Sequence, residues 1–125
     1  MLPKKITSND APASVGPYSQ AIEANGFVFC SGQIGLDPKS GELADGGISA
    51  QTEQAIKNLQ AVLEAANCKL DNVVKTTIYL KNIADYAIVN EIYGNYFLSK
   101  PARATVGAVE IPKGAMVEIE CVAQK

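Results

Sequence analysis

Between Ile48 and Ala66 the apolar positions fall on one side of a 3.6-residue period. Ile48, Thr52, Ala55, Ile56, Leu59, Val62, Leu63 and Ala66 predict an amphipathic helix of about five turns, with Asn67 closing it in the left-handed conformation. A helix with one apolar stripe must bury that stripe against another layer, and the flanking segments have the period of a sheet. Tyr18 to Ala24 and Phe27 to Ile34 bracket Asn25-Gly26, a pair suited to the positive φ angles of a tight hairpin turn. Val73 to Lys81 alternates, with Val74, Thr76, Ile78 and Leu80 expected on one face and Val73, Lys75, Thr77 and Tyr79 on the other.

The remaining elements follow from turn and cap signals. Lys5 to Ser8 reads as short and extended, and Gly35 to Gly47 as a long loop. Asp85 is placed to cap a second helix whose buried seam is Tyr86, Val89, Tyr93 and Phe97, with Asn90 beside it and Pro101 beyond its end. Arg103 to Ile111 and Met116 to Ala123 flank Pro112-Lys113-Gly114-Ala115, which suggests an antiparallel hairpin with Gly107 facing Glu120. The expected architecture is α+β, ββ-α-β-α-ββ, two helices on one face of a mixed sheet in a single domain spanning 1–125. The second face is expected to carry Thr77, Tyr79, Arg103, Thr105, Glu118 and Glu120, too polar for a dry core and too extensive to stay bare. A subunit interface with solvated clefts would meet both conditions.

Composition narrows the chemistry. Ten lysines and one arginine stand against 13 acidic residues, a net charge of −2, which is no footprint for nucleic acid or an anionic membrane. The chain has no histidine, so Ser-His-Asp catalysis and His-ligated zinc are excluded. Cys30, Cys68 and Cys121 form no CxxC spacing; they suggest neither a disulfide framework nor a metal cluster and read as packing residues of a reduced, cytoplasmic protein. No apolar run reaches membrane-spanning length, and no apolar signal region follows Lys4-Lys5.

A few residues stand out against this background. Arg103 is the lone guanidinium, able to hold a carboxylate through two parallel hydrogen bonds, or to serve as a structural ion-pair partner for a strand glutamate. Glu118 and Glu120 share a strand face about 7 Å apart. One could act as a general base toward water, or both could face solvent. Tyr18, after Gly16-Pro17, suits a cleft mouth or an interface equally. Asn90 suits a ligand contact or a satisfied core amide, and Ser31-Gly32 suits a close backbone approach or a bulge.

Six blocks in order give the chain a resemblance to the RidA/YjgF family of reactive intermediate/imine deaminases over essentially its whole length. They are Ala11-Pro12 with Gly16-Pro17-Tyr18-Ser19-Gln20, Ser31-Gly32-Gln33-Ile34, Lys75-Thr76-Thr77-Ile78-Tyr79-Leu80, Val89-Asn90-Glu91-Ile92-Tyr93, Pro101-Ala102-Arg103-Ala104-Thr105-Val106 and Val117-Glu118-Ile119-Glu120. The resemblance implies a chorismate-mutase-like α+β subunit, a homotrimer with inter-subunit clefts, and hydrolysis of 2-aminoacrylate and 2-aminocrotonate, as their imines, to 2-oxo acids and ammonia. It implies no cofactor and no metal. It assigns carboxylate binding to Arg103, the water-holding glutamate to Glu120, the cleft tyrosine to Tyr18, and further substrate contacts to Ser31, Gly32, Asn90 and Thr105. The rival expectations are a non-catalytic 2-oxo acid-binding regulator and a translation-inhibiting endoribonuclease, the latter disfavoured by the charge.

Overall fold

A computed structural model describes residues 2–125. Strands β1 (Lys4–Ile6), β2 (Ala21–Ala24) and β3 (Phe27–Ile34) precede helix α1 (Gly47–Ala65). Strand β4 (Val73–Leu80), helix α2 (Tyr86–Tyr96), strand β5 (Ala102–Val106) and strand β6 (Val117–Gln124) follow. The six strands form one mixed sheet in the order β1-β2-β3-β6-β4-β5, antiparallel throughout except for the β4-β5 pair. Both helices lie on one face of it.

The hairpin between β2 and β3 turns at Asn25 and Gly26, with φ of 51° and 81°, as their sequence predicts. Helix α1 also ends as expected. Asn67, at φ 60°, donates its backbone N–H to the Glu64 carbonyl, and Cys68 N–H reaches back to Leu63 O at 2.8 Å, the two bonds of a Schellman closure. The predicted stripe is buried, with Ala55, Ile56, Leu59, Val62 and Leu63 packed over Val28, Ile78 and Ile119 of the sheet. Two amides inside the stripe were not anticipated. Asn58 Nδ2 donates to the Ile34 and Leu36 carbonyls at 3.1 and 2.9 Å, and Gln51 Oε1 accepts from Met116 N–H at 2.9 Å. Each amide ties α1 to backbone at or beside the end of a strand.

The expected C-terminal hairpin does not form. β6 lies between β3 and β4, Glu120 is opposite Thr77, and Gly107 packs against Ile83. The physical reason is burial: Val117, Ile119, Cys121 and Ala123 are sealed on one side and need a strand on each flank, whereas β5 is short, with Ala102, Ala104 and Val106 exposed, and suits an edge. α2 returns the chain as a parallel crossover from β4 to β5. Pro112-Lys113-Gly114 then forms a 3₁₀ turn within the long passage to β6.

Two bulges alter the expected faces. In β3 the register passes from Cys30↔Cys121 to Gln33↔Ile119, so Ser31 and Gly32 together occupy the face away from the helices. In β4 the extra residue is Val74, which leaves Val73, not Val74, beside Thr76 on the buried side. The cap at α2 differs as well: Asn82 Oδ1 accepts from Ala84 N–H at 3.0 Å at the start of a 3₁₀ turn that runs into the helix, and Asp85 makes no side-chain cap. Tyr86 is exposed, while Val89, Tyr93 and Phe97 are buried as expected.

Candidate functional site

The singled-out residues form two groups on opposite sides of the sheet. Arg103 is paired with Thr76 and Thr105 with Ile78, so both lie on the helix side at the sheet edge, not on the open face beside the glutamates. The one-residue difference follows from the parallel β4-β5 register, which the expected hairpin did not supply.

The first group is built around Arg103. Its Nη2 donates to Tyr86 Oη at 2.8 Å, and its guanidinium carbon lies 4.9 Å from the Tyr93 ring centroid and 5.6 Å from that of Tyr86. Tyr93 is itself held by a 2.7 Å hydrogen bond to Thr76 Oγ1 and by stacking on Phe97, so the shelf beneath the guanidinium is fixed from two directions. Burial pushes the Tyr93 phenol above its ordinary range, partly offset by Thr76 and Arg103. Among the described residues no carboxylate pairs with Arg103; their one ion pair joins Lys125 to Glu23. A structural ion pair for Arg103 is therefore absent among the described residues. Arg103 lines a cleft of about 490 Å³ with Asn90, Tyr93, Leu98 and Lys100. Asn90 is exposed on α2, which removes the core-amide reading. Thr105 is not among the residues lining this cleft.

The second group lies where the β3 bulge meets β6. Tyr18, Ser31, Gly32, Lys113 and Glu118 line a cleft of about 420 Å³. Ser31 Oγ donates to the Ser19 carbonyl at 2.6 Å, pinning the loop that carries Tyr18, whose side chain is exposed. The Glu118 carboxylate fills the space that a side chain at Gly32 would take; a Cβ there would stand 2.8 Å from Cδ and collide with Oε2. Burial, together with the charge of Glu120, raises the Glu118 pKa above its ordinary value of 4.5. Glu120 shares this sheet face but does not line the cleft. Its carboxylate accepts from Tyr79 Oη at 3.1 Å, and the Tyr79 phenol is raised by burial and by that neighbour. Tyr18, Ser31 and Gly32 thus share their cleft with Glu118, while Glu120, on β6 across from the Ser31-Gly32 bulge, is turned to Tyr79. The bulge is the missing signal: without its extra residue, Gly32 reads as facing the helices.

A larger concavity of about 620 Å³ at the end of α1 contains none of the candidate residues. The three cysteines are buried, Cys30 directly opposite Cys121, and the Cys121 thiol is raised by its hydrogen bond with Cys30 and by burial, so it stays protonated. No group of His, Cys, Asp and Glu among the described residues could hold a metal ion, and no helix among them is long and apolar enough to cross a membrane.

The family model described as Endoribonuclease L-PSP matches residues 8–125. The chain belongs to the RidA/YjgF family. Among relatives of this family, a RutC family protein of Pyrococcus horikoshii is 49% identical over 121 residues, covering 96% of each chain. The 2-iminobutanoate/2-iminopropanoate deaminase of Mus musculus is also 49% identical over 121 residues, 96% of this chain and 90% of its own. A putative endoribonuclease L-PSP from Entamoeba histolytica superposes with a TM-score of 0.96 at 49% identity, over 99% of this chain and 100% of that one. Escherichia coli TdcF, crystallised with bound serine, gives 0.92 at 31% identity over 98% of each chain. The α+β fold with one mixed sheet and two helices is the fold of these RidA/YjgF structures.

Proposed function

We propose that this RidA/YjgF protein hydrolyses 2-imino acids of the 2-iminobutanoate and 2-iminopropanoate type to 2-oxo acids and ammonia. On this reading its site is completed between copies of the chain in a homotrimer. The observation that carries the proposal is Arg103: a guanidinium on an aromatic shelf in an open cleft, with no carboxylate of its own among the described residues. Such a group suits a ligand carboxylate, held by two parallel hydrogen bonds. The deaminase names of relatives about half identical support the same chemistry.

The base is Glu118. Its raised pKa brings it nearer neutrality, where a carboxylate takes a proton from water more effectively. Water attacks the imine carbon, Glu118 receives the proton and passes it to nitrogen, and the carbinolamine collapses to the 2-oxo acid with release of ammonia. Positioning and one general base suffice for so reactive a substrate. Tyr18 and the Gly32 backbone bound the reacting end, and Asn90 lies beside the carboxylate anchor.

A sheet separates Arg103 from Glu118 within one chain, so on this reading the two meet where neighbouring copies adjoin. The open sheet face, with Phe27, Phe29 and Val106 exposed, offers apolar surface for that contact. The test is co-assembly of R103A with E118Q, followed by ammonia release from threonine-dehydratase-generated imine. Each variant alone is expected to lose at least about 10²-fold. Equal mixing should restore about a quarter of the sites, because a site is whole only where an intact arginine meets an intact glutamate. No recovery would reject the shared site, full activity of R103A alone would reject Arg103 as the anchor, and wild-type protein that leaves ammonia release at the buffer rate would reject the deaminase reading.

A further inference from the structure

The cleft beside Arg103 holds a second cation. Lys100 lines the same cavity of about 490 Å³, and among the described residues neither cation has a carboxylate partner. Lys100 is also held in a backbone conformation that few residues adopt. Its φ is 53°, and its N–H closes a tight connection onto the Phe97 carbonyl at 3.2 Å. Left-handed backbone is unfavourable for any residue with a Cβ, and a residue followed by proline, here Pro101, is driven toward extended angles instead. A glycine would relieve the first of these conflicts, yet a long cationic side chain stands at the cleft wall. Strain of this kind persists where the surrounding structure over-determines it, commonly at ligand clamps.

Charge matching then narrows the ligand. A monocarboxylate satisfies Arg103 and leaves the ammonium of Lys100 unmatched across the same cleft; a second carboxylate at the far end of a short chain would answer it. We infer that the preferred ligands of this cleft are dicarboxylic 2-imino acids and their 2-oxo products, with Arg103 on the 1-carboxylate and Lys100 on the distal one. The inference rests on the reading of Arg103 as the carboxylate anchor. It adds a specificity-determining residue, Lys100, to that site.

The experiment is calorimetric titration of the assembled protein with 2-oxoglutarate and 2-oxopentanoate, which share a five-carbon chain and differ in a terminal carboxylate against a methyl. The wild type is expected to bind 2-oxoglutarate about tenfold more tightly, the scale of one additional charged hydrogen bond. K100M should erase that preference while leaving 2-oxopentanoate affinity within about twofold, and K100R should keep it. Equal affinities in the wild type, or a preference that survives K100M, would overturn the inference. R103A should abolish binding of both acids; if both affinities survive it, the anchor reading fails and this inference with it. If R103A removes binding but wild type shows no preference, the anchor stands and Lys100 alone is misassigned. Lys100 is exposed, so its variants are expected to melt with the wild type, and K100G at or above it.

Discussion

Replacing Gly32 by alanine tests the reacting end of the site with a single methyl group. The backbone at Gly32 is not in the left-handed region, so alanine adds no conformational strain, and the whole effect is steric. The added Cβ would overlap Glu118 Oε2 and stand 2.8 Å from its Cδ. Ordinary contact therefore requires the carboxylate to move by more than an ångström. The obstructing atoms are the far end of a flexible, half-buried side chain, so the fold can yield cheaply. We expect a stability loss below about 1 kcal/mol, a shift of only a few degrees in Tm for a domain of this size. Catalysis cannot yield in the same way. An ångström of misplacement in a positioned group costs about 10²-fold, and loss of a general base costs roughly 10² to 10⁴-fold. G32A should thus lower kcat about 10²-fold in the dehydratase-coupled assay while KM stays close to wild type, because Arg103 is untouched. The double variant G32A/E118Q should be no slower than E118Q alone, since both changes act on one carboxylate. Wild-type turnover by G32A, or additive losses in the double variant, would refute the assignment of Glu118.

The raised Glu118 pKa fixes the sign of two pH effects. Activity should fall on the acid side with a midpoint above 4.5, and E120Q, which removes one cause of the elevation, should move that limb downward; a pH-rate series on both proteins checks it. Stability runs the opposite way. A carboxyl raised in the folded state contributes stability that is fully present below about 4.5 and is lost as pH rises through the folded value, so E118Q should melt above wild type at neutral pH and lose that advantage in acid. N67A should lower stability by about 1 kcal/mol and N67G by less, read by denaturant titration, because Asn67 holds the left-handed closure of α1. If the proposed trimer forms through the open sheet face, F29E, which places a charge where Phe29 is 48% exposed, should reduce the light-scattering mass from that of three copies toward one 13.2 kDa chain.

The sequence displayed those features whose signals are local. The α1 stripe, its Asn67 closure and the Asn25-Gly26 turn each need only neighbours within a few positions, and each stands where its residues indicate. Strand partnership was not local. Pro112-Lys113-Gly114 carries the residues of a hairpin turn, yet the burial requirement of β6 on both flanks outweighed it, and the partners of β6 are β3 and β4. The same limit decided the site. Arg103 drew notice as the lone guanidinium, but its face depends on a parallel register with β4 that no short window reveals. Glu118 and Glu120 are alike by alternation, and only the Ser31-Gly32 bulge opposite distinguishes them.

That separation of Arg103 and Glu118 by the sheet has a chemical consequence. Placed together within one chain they would form an ion pair, which would hold the carboxyl low and occupy the guanidinium. The base would then be weak and the anchor already filled. Held apart, the arginine keeps its donors for a ligand, and the glutamate keeps the elevation that burial and Glu120 give it. In the proposed assembly, where neighbouring copies bring the two halves to one cleft, the approaching guanidinium should draw the Glu118 pKa down again. A bound carboxylate neutralises that cation and lets the glutamate recover its basicity. On the proposed reading, the substrate's own anionic group therefore both fastens the molecule and restores the base that directs water onto it, which binds hydrolysis to 2-imino acids and leaves imines without a carboxylate poorly served.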